Sequence, residues 1–320
     1  MHDALAVRLC RLVAGRTLLL LPSQRPEAAC KKTKRMKVRS AILTESREND
    51  IAILKSYPVS NGKMISSVCS SLMIVTVIGS RRGVGLEVVK RLVEKQEVTE
   101  IRALVRNVSE IGDDVFPKSD RLKIVEGDVS KPDTVRAALH GCTHAIYAAA
   151  GTGGPSSIAV DDIGVGDAFA ACEAEGVRRM VLNSAQLVDP DVNGWNPVRM
   201  LLNGMIAKGK SDSKFRGENR VREIAAAGKT EYTIVRAGRL GDVETQDAMV
   251  VGQTNTGFNN YLAIARKDVA AVLVECLTSA KVKNTTFELG AAKGAQPCAV
   301  STLLDGLPHT GDSWLAQTKK

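Results

Sequence analysis

The chain has 320 residues, is 44% hydrophobic and carries a formal net charge of +9. This length fits one large domain or two small ones and is ample for a sizeable core. The charge is uneven, because residues 1–40 hold ten Lys/Arg and two acidic residues, whereas the rest of the chain holds 34 basic and 33 acidic residues. A body this close to neutral argues against a nucleic-acid partner.

Residues 1–72 are predicted to be a targeting segment. Their first 40 residues are rich in Lys and Arg, and five serines cluster between positions 60 and 71. This pattern is typical of an organellar transit peptide, and the plastid stroma is favoured over the mitochondrial matrix. The alternative is a disordered tail, or translation from Met64 or Met73, on a cytoplasmic protein. The apolar run Thr17–Leu21 is too short for a membrane span, which needs about 20 residues, so no transmembrane segment is predicted.

The cysteines and histidines show no pattern of a metal or disulfide site. The seven cysteines include no C-x-x-C pair, and the four histidines include no H-E-x-x-H motif. We therefore predict no metal site and a reducing compartment.

The most informative stretch begins with the apolar run Ile74–Ile78. A glycine-rich turn with Gly79, Gly83 and Gly85 follows, then an amphipathic segment, and then a second β-type run, Ile101–Val105. Strand, glycine turn, helix and strand in this order predict the opening unit of a dinucleotide-binding fold, with the pyrophosphate at the helix N-terminus. The alternative is a structural turn that only closes a β-α-β unit.

The end of the second strand predicts which dinucleotide binds. NAD sites usually place an acid there for the ribose hydroxyls, but no acid occurs from Ile101 to Val108, and Arg106 is near the expected position. Arg81 and Arg82 lie in the glycine turn. Because guanidinium groups pair well with phosphate, these arginines favour NADP(H) over NAD(H). The alternative is that some of them are solvated surface residues.

The rest of the chain alternates strand and helix signals. Strands are predicted at Leu122–Val125, Ala145–Ala149, Met180–Leu182, Tyr232–Val235 and Thr286–Leu289. Helices are predicted from an N-cap at Ser130 to about His140, and at Ile158–Glu175, Val198–Ala227 and Asp268–Thr278. The alternation predicts an α/β fold, a Rossmann-type doubly wound parallel sheet in a single domain at 73–290. A small C-terminal segment would lie on the substrate side, and residues 291–320 would form a tail.

Six segments in order carry a family resemblance: VIGSRRGVG, ALVRN, VEGDVSKPD, AIYAAAG, VDDIGVGDAFAACEAEGVRRMVLNSA and EYTIVRAGRL. Over residues 73–290 the chain resembles the atypical short-chain dehydrogenase/reductase superfamily. It is most similar to the NmrA-like, NAD(P)H-binding branch, which includes plastid proteins related to the redox-sensing component of the inner-envelope translocon. The resemblance implies an NAD(P)-binding protein, an oxidoreductase that transfers a hydride to a small acceptor such as a quinone, a flavin or a carbonyl compound. An organellar protein partner is a further expectation.

The resemblance also implies roles for individual residues. The expected cofactor-binding residues are Gly79, Arg81, Arg82, Gly83, Val84, Gly85 and Arg106 for the phosphates, Asp128 and Val129 for the adenine, and Ala148, Ala149, Gly151 and Lys214 for the nicotinamide ribose. The expected catalytic residues are Ser184 and Lys214, with Glu218 one turn after the lysine. The alternatives are a backbone-bonded strand-end hydroxyl for Ser184 and a solvated helix face for Lys214.

One departure from the superfamily pattern bears on activity. The usual acid catalyst is a tyrosine four residues before the active-site lysine, and here that position is Lys210. No tyrosine occurs between Tyr147 and Tyr232. Two functions therefore stay open: an oxidoreductase without the usual tyrosine, or a non-catalytic NADP(H)-sensing or scaffold protein, such as an auxiliary component of an organellar complex.

Overall fold

The computed structural model describes residues 73–206, 208–241, 248–253, 263–292, 296–308 and 311. The predicted targeting segment lies outside the described residues, which begin at residue 73. Most of the last residues of the predicted tail, 309–310 and 312–320, also lie outside them.

The described residues form one large sheet and a separate two-stranded pair. The strands are β1 (Met73–Ile78), β2 (Val98–Val105), β3 (Leu122–Glu126), β4 (His144–Tyr147), β5 (Arg179–Ala185), β6 (Glu231–Ala237), β7 (Leu240–Gly241), β8 (Ala248–Gly252), β9 (Ile264–Ala265) and β10 (Thr285–Ala292). The large sheet has the order β3-β2-β1-β4-β5-β6-β10-β8, and β7 pairs with β9. Its pairs are parallel except for β10 with β8, which is antiparallel at the edge.

Helices cover both faces of this sheet. The longer ones are α1 (Gly83–Glu94), α2 (Pro132–Leu139), α3 (Gly164–Ala174), α4 (Lys210–Ala227), α5 (Arg266–Glu275) and α6 (Val300–Asp305). Shorter helical turns lie at Val108–Glu110, Pro155–Ser157, Pro190–Asn193, Pro197–Met200 and Ala280–Val282, and wide π-helical turns at Ile158–Ile163 and Leu201–Ile206. Helices α1, α5 and α6 pack into one hydrophobic cluster and α2, α3 and α4 into the other. In the described ranges, no helix combines the length and the apolar character that crossing a bilayer requires.

The alternation of side chains along β1 explains the two clusters. Val75 and Val77 are fully buried on the α1 and α5 side, whereas Ile78 is fully buried in the opposite cluster. Thr76 is also fully buried and donates its hydroxyl to the Ala138 carbonyl of α2 at 3.0 Å. A strand that is buried on both faces needs an apolar run without strict alternation, which is the pattern at Ile74–Ile78.

The predicted fold class is confirmed: a mostly parallel, doubly wound Rossmann-type sheet in a single domain. The predicted end of the strand Ala145–Ala149 was wrong by two residues, because β4 ends at Tyr147. The chain leaves the sheet there and brings the Ala149 backbone against Gly79.

Two helix predictions were also wrong in detail. Ser130 is not an N-cap, because its hydroxyl donates to Asp128 Oδ1 at 2.8 Å, and α2 begins at Pro132 with Lys131 at the cap. The predicted helix Val198–Ala227 is interrupted before α4, where Lys208 and Gly209 have φ values of 43° and 78°. The left-handed backbone at these two residues ends the preceding helical turns.

Two elements of the fold are not predicted from the sequence. Strand β8 adds to the sheet edge through antiparallel pairing with β10, so its position depends on a partner about forty residues along the chain. Helix α6 is only six residues long, but Leu304 and the following Leu307 are buried in the core cluster with α1 and α5. Residues 300–307 of the predicted tail therefore belong to the packed body. The other proposed domain limits stay predictions.

Candidate functional site

The sheet order reverses between β1 and β4, which are neighbours and run parallel. In doubly wound sheets, ligands bind outside the carboxyl ends of the strands at such a reversal. Gly79 lies directly after β1, with φ +84°, and a Cβ atom there would come within 2.5 Å of the Ala149 amide nitrogen. Only glycine therefore allows the turn after β1 and the loop after β4 to lie in contact.

The other two glycines shape the start of α1. A Cβ atom on Gly85 would lie 2.1 Å from the Gly79 carbonyl oxygen, so glycine lets the helix pack directly on the turn. Gly83 has φ +62°, and the nearest atom to a Cβ there would be Arg266 Nε at 3.9 Å. Among the described residues, no backbone atom outside α1 and the residue before it lies within 4 Å of that Cβ position, and only the Arg266 side chain approaches it. The N-cap of α1, Arg82, makes no side-chain capping bond among the described residues, so the first N–H groups of α1 stay available to an anion.

The three predicted arginines have different surroundings. Arg81 Nη1 donates to Glu110 Oε2 at 2.6 Å, and both side chains are about half exposed. Arg82 and Arg106 are exposed, and within the described part of the chain neither forms an ion pair or a side-chain hydrogen bond. Arg106 is therefore an available cation at the carboxyl end of β2.

Asp128 follows β3 and lies close to Arg106. Its Oδ1 accepts from the Ser130 amide at 2.9 Å, and this bond, together with the positive charge of Arg106, holds the pKa of Asp128 below its usual range. The Val129 side chain is buried among the core residues beside α3. Asp128 and Arg106 are brought together, as their predicted adenosine roles require, whereas Val129 can face a ligand only through its backbone.

The loop after β4 is held in place by a buried carboxylate. Ala148 and Ala149 are half-buried, and the Gly151 amide donates to Asp161 Oδ2 at 3.0 Å. Asp161 lies in the π-helical turn Ile158–Ile163 and is 1% exposed. It fixes the small-residue loop that was predicted to line the nicotinamide ribose.

The same aspartate holds the predicted catalytic lysine. Lys214 Nζ lies 3.0 Å from Asp161 Oδ1, in an ion pair rather than an aligned hydrogen bond. The Lys214 side chain is only 12% exposed, so the solvated-face alternative was wrong. Asp161 therefore connects the predicted lysine on α4 with the loop at Gly151.

Ser184 faces a buried cluster of charges. Its hydroxyl donates to Glu218 Oε1 at 2.6 Å, and Glu218, which is fully buried, also accepts from Arg236 at 2.6 Å and from Arg222 at 3.2 Å. The backbone-bonded alternative was therefore wrong about the partner. Burial by itself would raise the pKa of Glu218, but Arg236 and Arg222 outweigh it and lower that pKa, so Glu218 is ionised. The predicted roles of Ser184 and of the other site residues stay predictions.

Two residues at the site were not found from the sequence. Asp161 is one of two adjacent acids in VDDIGVG, and its neighbour Asp162 instead pairs with Arg216 and Arg220 on α4, both at 2.6 Å. The signal in the sequence was two adjacent acids in an apolar helical segment, but the sequence alone does not show which of them pairs with Lys214. Arg266, at the start of α5, reaches Gly83 from a distant part of the chain.

These features together define a dinucleotide-binding protein of the Rossmann class. A sequence model of the family described as NAD(P)H-binding matches residues 79–280, more than half of the chain, and this protein belongs to that family. The match confirms the predicted resemblance to an NAD(P)H-binding family. No match was found among curated proteins.

Solved structures with the same fold include oxidoreductases. The oxidoreductase ylbE from Lactococcus lactis is 21% identical, with a TM-score of 0.56 over 73% of this chain and 95% of that chain. A short-chain dehydrogenase/reductase from Veillonella parvula in complex with NADP is 15% identical, with a TM-score of 0.54 over 69% of this chain and 95% of that chain. The anaerobillin reductase ChuY from Escherichia coli is 16% identical, with a TM-score of 0.51 over 70% and 99%. At these identities the likeness establishes the fold.

Proposed function

We propose that this protein binds NADP(H) in preference to NAD(H) and transfers a hydride between the bound nicotinamide and a small acceptor, such as a quinone, a flavin or a carbonyl compound. The observation that carries the proposal is the exposed Arg106 guanidinium at the end of β2, beside Asp128 and without an ion pair among the described residues. An unpaired guanidinium at this position suits a 2′-phosphate, whereas a ribose diol is better served by an acid.

The residues present fit a dinucleotide. The start of α1, which has no side-chain cap among the described residues, would hold the diphosphate, and Arg266 would add a positive charge beside it. Asp128 would accept from the adenine amine. When bound, the nicotinamide supplies a hydride. Lys214, positioned by Asp161, would hold the ribose, and the small residues Ala148 and Ala149 would leave room for it.

The test compares two variants of the full chain by calorimetric titration with NADPH and NADH. Arg106→Glu should raise the Kd for NADPH by about tenfold or more, because a charge-assisted bond is lost and a repulsion is added. The Kd for NADH should change by less than about twofold, since NADH lacks the phosphate.

Arg266→Gln is the matched control, because its neighbourhood is the diphosphate position that both nucleotides share. It should weaken NADPH and NADH by similar factors. An equal loss of both nucleotides in Arg106→Glu would contradict the NADP(H) preference.

A non-catalytic NADP(H) sensor or scaffold is the second candidate, and the position of Ser184 favours it. Its hydroxyl is bound to the buried Glu218, and the usual acid position holds Lys210. Tyr147, at the end of β4, does not replace the missing phenol. It is buried and donates to the Val160 carbonyl at 2.6 Å, and burial raises its pKa further. Tight NADPH binding without turnover on a panel of quinones and flavins would favour the sensor.

A further inference from the structure

The start of α4 lies against the loop that follows β4. The Gly154 amide, in the loop after β4, donates to the Lys208 carbonyl at 2.9 Å, so the chain entering α4 lies against that loop. Lys210 is the first residue of α4, and Lys214 follows four residues later. Residues four apart lie on the same helix face, so both lysines face the region near Asp161.

The charges around these two lysines are unbalanced. The buried carboxylate of Asp161 pairs with Lys214. Asp212 on α4 is already engaged by Arg199 and by Asn203 Nδ2, the latter at 2.7 Å. Asp162, on the segment packed against α4, is likewise held by two arginines.

Lys210 is left without a counter-charge of its own. Its side chain is half-buried, and its ammonium group forms no ion pair or hydrogen bond within the described ranges. Burial and the positive charge of Lys214 lower the pKa of Lys210, while Asp161 opposes that shift. A partly desolvated ammonium group in this situation gains from a negatively charged oxygen, which supplies both the missing charge and a short hydrogen bond.

We propose that the acceptor subsite beside Lys210 takes a molecule with an anionic oxygen, either a carboxylate or an enolate, and that the Lys210 ammonium group binds that oxygen. The inference rests on the proposed function, because the subsite adjoins the loop that we assign to the nicotinamide ribose. It narrows the acceptor from any small quinone, flavin or carbonyl compound to acidic members of these classes.

Two quinones that differ in charge provide the test. Lawsone is a hydroxynaphthoquinone that is an enolate anion at neutral pH, and its methyl ether has the same rings without the charge. Both are titrated by calorimetry into the full chain saturated with NADP⁺. The wild-type protein should bind lawsone about tenfold or more tightly than the ether, as expected for a charge-assisted bond.

Variants then assign this preference to one side chain. Lys210→Gln should abolish it and Lys210→Arg should retain it, because arginine keeps the charge. Lys208→Gln is the matched control, since Lys208 is an exposed lysine two residues away and should leave the preference unchanged. Melting temperatures and NADP⁺ affinity verify that each variant is folded with an intact cofactor site.

Several outcomes would overturn the inference. Equal affinity for the two quinones, no binding of either, or a preference that persists in Lys210→Gln would each do so. Wild-type protein that binds NADP⁺ normally but shows no preference for lawsone would remove this inference alone. Failure of the wild-type protein to bind NADP⁺ would remove the proposed function as well.

Discussion

The glycines at the site meet two separate steric demands. Gly79 must adopt a left-handed backbone conformation and must also leave room for the Ala149 backbone. Gly141, in the turn before β4, meets only the first demand, because its φ is +71° and a Cβ atom there would have no neighbour within 4 Å. The pair separates backbone strain from overcrowding.

We predict that Gly79→Ala destabilises the protein more than Gly141→Ala. Both substitutions place alanine in the left-handed region, at a cost of about 1–2 kcal/mol. Only Gly79→Ala also forces a Cβ atom against the neighbouring backbone, which adds about 1–3 kcal/mol of overpacking. Urea denaturation of both variants measures the difference, and equal losses would show that the close approach to Ala149 does not constrain the turn.

At the scale of elements, a buried charge cluster joins α4 to the sheet. Glu218 on α4 accepts from Ser184 on β5 and from Arg236 on β6, and these two strand residues are partners in the register. Arg222, one turn further along α4, donates to Glu218 and to Thr286 on β10. Residues of α4, β5 and β6 thus meet at one carboxylate that has no exposure to water, and β10 is joined to the cluster through Arg222.

We predict that Glu218→Gln destabilises the protein by about 3–5 kcal/mol, because a neutral amide no longer balances the charges of the buried arginines that donate to this position. Glu223→Gln, on the exposed face of the same helix, should change the free energy of unfolding by less than about 0.5 kcal/mol. Chemical denaturation at neutral pH measures both values. A small effect of Glu218→Gln would mean that the two arginines find other partners.

The same cluster should make the free energy of unfolding depend on pH in the acidic range. The pKa of Glu218 is lower in the folded protein than its ordinary value of 4.5, so its contribution is complete above that value and is lost as the pH falls through the folded pKa. Glu218→Gln should flatten this part of the stability profile.

At the scale of the whole molecule, a buried histidine sets a second pH dependence. His144 begins β4 and is 6% exposed. Burial, followed by the charges of Arg178 and Arg179, lowers its pKa to about 4 from 6.5. Between pH 6.5 and 4, His144 therefore binds a proton in the unfolded chain but not in the folded protein. The free energy of unfolding falls as the pH decreases through this window.

We predict a loss of about 3 kcal/mol across that window, from a shift of roughly 2.5 pKa units at 1.36 kcal/mol each. His144→Gln should remove this part of the dependence. His140→Gln, at a histidine whose side chain is 83% exposed, serves as the control and should leave it in place. Denaturation midpoints from pH 7 to 4 measure the effect, and an identical slope in His144→Gln would contradict it.

Local patterns were enough to predict the fold class and the position of the glycine-rich turn. The run Ile74–Ile78, the spacing of Gly79, Gly83 and Gly85, and the alternating strand and helix signals each depend on residues close together in the chain. The periods of strands and helices and the backbone needs of glycine are local properties, so they are visible without a structure. The same holds for Arg106, whose position follows from the end of β2.

Only the tertiary structure decided which charges meet. Asp161 rather than Asp162 holds Lys214, Ser184 turns towards Glu218, and Arg266 comes to lie beside Gly83. The tertiary structure also decided that α4 begins at Lys210 and that the Lys210 ammonium group has no ion pair or hydrogen bond among the described residues. Each of these contacts joins residues from different elements, and their energies depend on distance and burial, which the order of residues along a chain does not specify.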